Sequence, residues 1–343
     1  MKRYLLRTLL FLVPFMALLA YYFFGADWAA MEGDLGRMTA TEFHYTHPHL
    51  SPRPPMAECR NVETVADIAP LADDEMVVFG DSFSIGDSLR WHQFMGAALH
   101  KRIVFAGRFY KPAEDLLDAL LHHPDCLGNT VVLELVERNL VSLAYLSFPQ
   151  ENPTSQAAAS PASDVAGNKQ ENTFDVLKSK WRRKSRKPIQ FYQHRLGIDV
   201  PVNVERLDGN YFSCRSDRLY YYQDDLYSNL TPAQATAAIA NWFHLDSLAN
   251  SQGITLFLVA IPDKYTVYHR HILAPRFHGE RLLEAPCPLD TLPRFINTLP
   301  LIASLVATGT PNVYLPDDSH FSTPTAHTVG CHVASIIASA PSF

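Results

Sequence analysis

The sequence predicts an α/β fold: a doubly wound, mostly parallel sheet that follows an N-terminal transmembrane helix. Three observations predict it. Short all-apolar runs rich in β-branched residues recur along the chain, of the kind buried on both faces of a parallel sheet. Helical patterns lie between them, and alternation of this kind is the signature of α/β architecture. The chain is also large and apolar enough to bury a core, with 343 residues, 47% of them hydrophobic and 19% charged. That balance excludes a wholly disordered protein.

The elements follow in order. Lys2, Arg3 and Arg7 precede an uncharged run at 8–26, TLLFLVPFMALLAYYFFGA. At about 1.5 Å of rise per residue, roughly twenty residues span the hydrocarbon core. The basic flank predicts a cytoplasmic N-terminus with the rest of the chain exported. A cleaved signal peptide is the rival reading, but Phe23, Phe24 and Trp28 occupy the third-last positions where a peptidase needs small residues. Residues 1–26 therefore read as an uncleaved anchor. Residues 27–70, with Pro48, Pro52, Pro54 and Pro55, read as a stalk or linker ending in a first packed segment. A domain at 71–343 follows.

In that domain the runs at 76–79 (MVVF), 102–106 (RIVFA), 130–135 (TVVLEL) and 254–261 (ITLFLVAI) read as strands, and 311–315 (PNVYL) as a fifth. The stretch 113–122 follows Pro112, and 231–250 opens with Thr-Pro, an N-cap before a first-turn proline; both read as helices. An insertion at about 150–190 begins with a segment rich in Ala, Ser, Pro and Asn. It continues into KSKWRRKSRK at 178–187, a solvated loop or a contact for an anionic lipid or polymer.

Other function classes are narrowed by composition. A net charge of −6 speaks against a dedicated nucleic-acid binder. Five cysteines without CxxC spacing exclude a zinc ribbon or a thioredoxin-type site. In an exported domain, one or two disulfides among Cys59, Cys126, Cys214, Cys287 and Cys331 are expected. His44, His47 and His49 sit in Pro-rich sequence without a matched carboxylate or cysteine and do not read as a metal site, and no cofactor is expected. His122, His123, His269 and His271 read as surface or packing residues. Tyr220, Tyr221, Tyr222 and Trp91 read as packing aromatics or a sugar platform. Lys264 reads as a contact for an anionic sugar or a surface ion pair.

The chemistry-bearing residues lie in two blocks. In 77–84, VVFGDSFS, a strand runs into Gly80, Asp81 and Ser82. Such a turn holds Ser82 at the carboxyl end of a strand, where open α/β sheets keep their crevice, with its own N–H facing a developing oxyanion. In 314–326, YLPDDSHFSTPTA, Asp318 or Asp317 accompanies His320 on one loop. A serine hydroxyl needs an adjacent base, and an imidazole needs a carboxylate to orient it. The plainer reading makes Ser82 a helix N-cap and Asp318 a turn residue.

Together these blocks resemble the SGNH (GDSL-type) hydrolase superfamily over about residues 75–335, outside the insertion. The wording is similar to its exported, membrane-anchored branch, the alginate and cell-wall polysaccharide O-acetyltransferases. These often read Asp-Thr-His-Trp where this chain has Asp318, Ser319, His320 and Phe321. Residues 131–139 (VVLELVERN) and 259–268 (VAIPDKYTVY) share in the likeness. In the alginate enzymes the Asp-x-His element precedes the serine block; here it follows, as in other SGNH hydrolases. The resemblance implies an SGNH or flavodoxin-like three-layer sandwich, with Ser82 as nucleophile, His320 as base and Asp318 or Asp317 as orienter. It also implies Gly107 and Asn139 as oxyanion-hole residues. It implies acetyl transfer to hydroxyls of an exported polysaccharide, fed by a membrane-bound acyltransferase partner, in an inner-membrane protein whose catalytic domain is periplasmic. The alternatives are an esterase or deacetylase using the same triad, and a non-catalytic glycan-binding assembly subunit.

Overall fold

The computed structural model describes residues 54–62, 64–84, 90–106, 111–149, 202–214, 217–275 and 279–340, together with 8, 11–16 and 35. The chain divides into two units. One comprises 1–32, 36–44 and 147–200, of which 8, 11–16 and 147–149 are described. Most of the expected anchor and all of the insertion at 150–190 lie outside the described residues, as does the histidine cluster at 44–49. Among the described residues no helix is long and apolar enough to cross a membrane.

The second unit holds the α/β fold. Its strands are β1 (Cys59–Val62), β2 (Glu75–Phe79), β3 (Arg102–Ala106), β4 (Thr130–Val136), β5 (Val202–Arg206), β6 (Arg218–Tyr222), β7 (Thr255–Ile261) and β8 (Phe295–Asn297). Six of them form one sheet in the order β1-β3-β2-β4-β7-β8, and every neighbouring pair is parallel. The other two, β5 and β6, form a separate antiparallel pair in which Val202 faces Tyr222 and Arg206 faces Arg218. The middle strands are apolar along their whole length because both faces are covered; Val77, Val78, Val132, Leu133, Leu258 and Val259 have no exposure.

Strand order fixes where a site can form. From β2 the chain moves outward to β3, then returns past β2 to β4. The direction of winding reverses there, leaving a crevice beyond the carboxyl ends of β2 and β4. The connecting helices are α1 (Trp91–Leu99), between β2 and β3, and α2 (Pro112–His122), between β3 and β4. Right-handed crossovers running in opposite directions put these two helices on opposite faces. Next come α3 (Pro232–Ser251), α4 (Lys264–Tyr268), α5 (Leu299–Ala307) and α6 (Thr323–Ser339). The start of α3 is as expected: Thr231 caps it by accepting from the Gln234 N–H, with Pro232 in the first turn.

Two departures concern the sheet. The segment PNVYL at 311–315 is not a strand, and its only ladder contact is an isolated bridge from Tyr314 to Phe321. It is apolar because Val313 and Tyr314 are buried under a tight loop, closed by the Leu315 N–H donating to the His320 carbonyl at 3.0 Å. The sheet position beside β7 goes instead to the three-residue β8. At the other edge the sheet takes in β1, within the packed segment expected before residue 71.

Candidate functional site

The tip of β2 is a tight turn held from beneath. The Asp81 N–H donates to Glu134 Oε2 at 3.1 Å, and the Ser84 hydroxyl donates to the same oxygen at 2.7 Å. Trp91 Nε1 donates to Ser84 Oγ at 3.2 Å, and His92 Nε2 bonds the Ser84 carbonyl at 2.7 Å. Burial lowers the His92 pKa to about 4, so its ring is neutral and donates to that carbonyl. Glu134 sits in the middle of β4, fully buried. Burial first, and then the charge of Asp81, hold its carboxyl well above the usual carboxylate range. Glycine at residue 80 leaves this turn room: a Cβ there would lie 2.6 Å from Glu134 Oε2 and 2.8 Å from Ser84 Oγ, so one of those side chains would have to shift.

Asp81 organises the mouth of the crevice. Its Oδ1 accepts the Phe83 N–H at 3.0 Å. Its Oδ2 accepts the Val136 N–H at 3.1 Å and Asn139 Nδ2 at 2.9 Å. This carboxylate therefore bolts the turn after β2 to the chain after β4. Asn139, on the 3-10 helix Glu137–Tyr145, comes beside the serine block and keeps a second amide hydrogen for another acceptor. The amides of Asp81, Phe83 and Ser84 are all engaged. Among the described residues, the Ser82 N–H and hydroxyl have no hydrogen-bond partner. Among the described residues, the half-buried Ser82 thus keeps one amide donor and one hydroxyl uncommitted at the carboxyl edge of the sheet.

The second block is the loop before α6. His320 Nδ1 lies 2.5 Å from Asp318 Oδ1, and the same oxygen accepts the His320 N–H at 2.9 Å. Asp318 is therefore the carboxylate on the ring, while Asp317 is buried elsewhere on the loop. The neighbouring Nδ1 contact fixes the ring so that Nε2 points away from Asp318. The two blocks meet through Phe83, whose ring centroid lies 4.7 Å from that of His320 and 5.1 Å from that of Phe321. A shallow pocket of about 10 Å³, room for little more than one water, lies between them, lined by Phe83, Arg90, Trp91, His320, Phe321 and Ala326. Ser82 Oγ makes no hydrogen bond to His320, and such contacts often close only when substrate is bound.

Helix packing holds the blocks together. Helix α1 follows the serine turn and α6 follows the histidine loop, and the two pack closely against each other. At their crossing a Cβ on Gly330 would lie 2.3 Å from the Trp91 carbonyl oxygen and 2.9 Å from the Met95 nitrogen. Only glycine permits this approach.

Several sequence expectations need correction. Lys264 is neither a surface ion pair nor exposed to a sugar, because it is buried beneath the 315–318 loop. Tyr220 and Tyr221 are buried in β6 and offer no platform; Tyr222 is half-buried, with the Arg138 guanidinium 5.8 Å from its ring centroid. No disulfide joins the five cysteines, which lie on separate segments, and burial raises the Cys287 thiol to about 11. Gly107 lies outside the described residues. His122 and His123 are on the surface, and His269 bonds the Thr266 carbonyl at 2.8 Å. Among the described residues no group of three or more His, Cys, Asp or Glu side chains is placed to hold a metal ion.

One cluster is not signalled by any spacing in the sequence. Arg138 pairs with Asp263 and Asp225, and Asp263 also accepts the Arg138 N–H at 3.0 Å and the Ser228 hydroxyl at 2.6 Å. Glu137 accepts the Asp263 N–H at 3.1 Å. Burial, followed by repulsion from Asp263, raises Glu137 from 4.5 to about 7. A carboxyl raised on folding contributes stability that is complete below its unfolded pKa and is lost as pH rises through the folded one. Thermal melts should therefore show wild type losing stability relative to Glu137→Gln between about pH 5 and pH 8. A gap that stays constant over that range contradicts the assignment.

The chain matches no protein-family model, no curated protein and no solved structure.

Proposed function

We propose that the chain is a serine-nucleophile acyl-transfer enzyme of the SGNH type. More narrowly, we propose that it moves an acetyl group to hydroxyls of an exported cell-envelope polysaccharide. The observation that carries the reading is the contact of Phe83 with His320, which brings the serine turn and the Asp318–His320 pair to one rim. The position of Ser82 at the reversal point of the sheet supports it, as do the uncommitted Ser82 N–H and the amide of Asn139.

In this reading the Ser82 hydroxyl attacks the donor carbonyl and passes its proton to His320 Nε2, and Asp318 stabilises the imidazolium. The Ser82 N–H and Asn139 Nδ2 receive the oxyanion, and losing a donor of this kind raises a barrier by ~2.7–4 kcal/mol. The tetrahedral intermediate collapses, the leaving group takes the proton from His320, and acetyl-Ser82 remains. A glycan hydroxyl then attacks, losing its proton to His320; the serine oxygen leaves and recovers that proton. The apolar run at 8–26 supports an inner-membrane anchor with the domain in the periplasm, supplied by a membrane-bound acyltransferase.

The test is to incubate the full chain, in detergent, with an acetyl-ester donor and envelope glycans and to follow both products. Acetylated glycan whose formation requires Ser82 is the expected result. Acetate release with no glycan product replaces the transferase with an esterase, and neither product leaves a non-catalytic glycan-binding subunit.

A further inference from the structure

The buried lysine after β7 has no task in the mechanism above, yet it reaches the loop that carries the base. Lys264 is the first residue of α4, only 1% exposed. Its Nζ donates to the carbonyl oxygens of Leu315 at 2.6 Å, Pro316 at 3.1 Å and Asp318 at 3.0 Å. The ammonium also stands 5.1 Å from the centroid of the Phe212 ring. Three donors on one side chain thus close around three carbonyls within four residues, the last belonging to the residue whose carboxylate meets His320. Burying an ammonium is costly unless it is hydrogen-bonded. Nearby, the Tyr314 hydroxyl bonds the Pro262 carbonyl, so the loop is tied to the end of β7 at a second point.

We propose that Lys264 is a positioning residue for the acid–base pair: its ammonium gathers the 315–318 carbonyls and so sets the direction in which Asp318 presents its carboxylate to His320 Nδ1. This inference rests on the acyl-transfer reading for its kinetic consequence, but its geometric content stands apart from it. Lys264 touches neither substrate nor the reacting atoms. Its effect passes through the loop backbone.

The experiment compares wild type with Lys264→Met, Lys264→Gln and Lys264→Arg as full chains, checking each for a cooperative thermal melt. Ester turnover is followed in parallel with the downfield proton resonance of His320 Nδ1–H. Misplacing a reacting group by about 1 Å costs ~100-fold. Lys264→Met is therefore expected to lose about that much in kcat with KM little changed and to lose the resonance, and Lys264→Arg to recover part of both. Should the methionine variant not fold, the glutamine variant carries the same comparison. A folded variant with wild-type kcat and an intact resonance overturns the proposal. So does failure of both neutral variants to fold, which makes Lys264 a structural residue only. If wild type shows no Ser82-dependent turnover while the resonance still depends on Lys264, the acyl-transfer reading fails and the positioning role stands.

Discussion

Replacing Ser82 with Ala should lower ester turnover by about 10⁴-fold or more, with no loss of thermal stability. The two halves of that expectation come from different observations. The hydroxyl is half-buried and meets no hydrogen-bond partner among the described residues, so its removal leaves no buried group unsatisfied. The turn itself is built by its neighbours: Gly80 gives the room, Asp81 makes three side-chain bonds, and Ser84 anchors to Glu134 and Trp91. The variant should therefore keep its fold and lose only the nucleophile. Turnover within a few-fold of wild type would remove Ser82 from the mechanism. A fall in melting temperature together with lost activity would make Ser82 part of the scaffold.

The second large effect is on the fold. Gly330→Ala should destabilise the protein by about 3 kcal/mol, although alanine is the better helix former by up to ~1 kcal/mol. The sign is decided by what the new methyl group meets. Its nearest neighbour is the Trp91 carbonyl oxygen at 2.3 Å and another is the Met95 nitrogen at 2.9 Å, so backbone must move. Overpacking a buried contact costs about 1–3 kcal/mol, and rigid neighbours put this case at the upper end. For a domain of this size each kcal/mol corresponds to about 2–4 °C, so a drop of about 6–12 °C in melting temperature is expected. Because α1 and α6 follow the serine turn and the histidine loop, the proposed turnover should fall beyond what the unfolded fraction explains. A melting temperature within about 2 °C of wild type contradicts this packing account.

These two residues mark what a sequence can and cannot disclose here. The middle strands were legible because burial on both faces forces continuous apolar runs, as at 76–79 and 255–261. The edges were not. The strand β1 reads CRNV and carries exposed polar residues, and β8 is three residues long, too short for any period to appear. Val313 and Tyr314 imitated a strand because a buried loop needs the same apolar side chains. At the site, the Gly-Asp-Ser and Asp-x-His wording stood out because a serine nucleophile and its base call for those residue types, and the two blocks meet through Phe83, whereas Asn139 was named only by resemblance to the SGNH hydrolases. Glu134 was hidden inside an apolar run. Lys264 was misread since a lysine beside a strand end is ordinarily at the surface, and its three acceptors come from a segment distant in sequence. Gly330 gave no sign, as a close approach between helices leaves no mark except the glycine itself.

The central claim is that an acyl group passes through Ser82, and mass spectrometry of the full chain quenched during turnover of an acetyl ester tests it most directly. One acetyl group on the peptide that contains Ser82, formed in wild type and missing in Ser82→Ala, is the result this account predicts. An unmodified Ser82 peptide, or an acetyl group that forms on another residue and persists in Ser82→Ala, contradicts it.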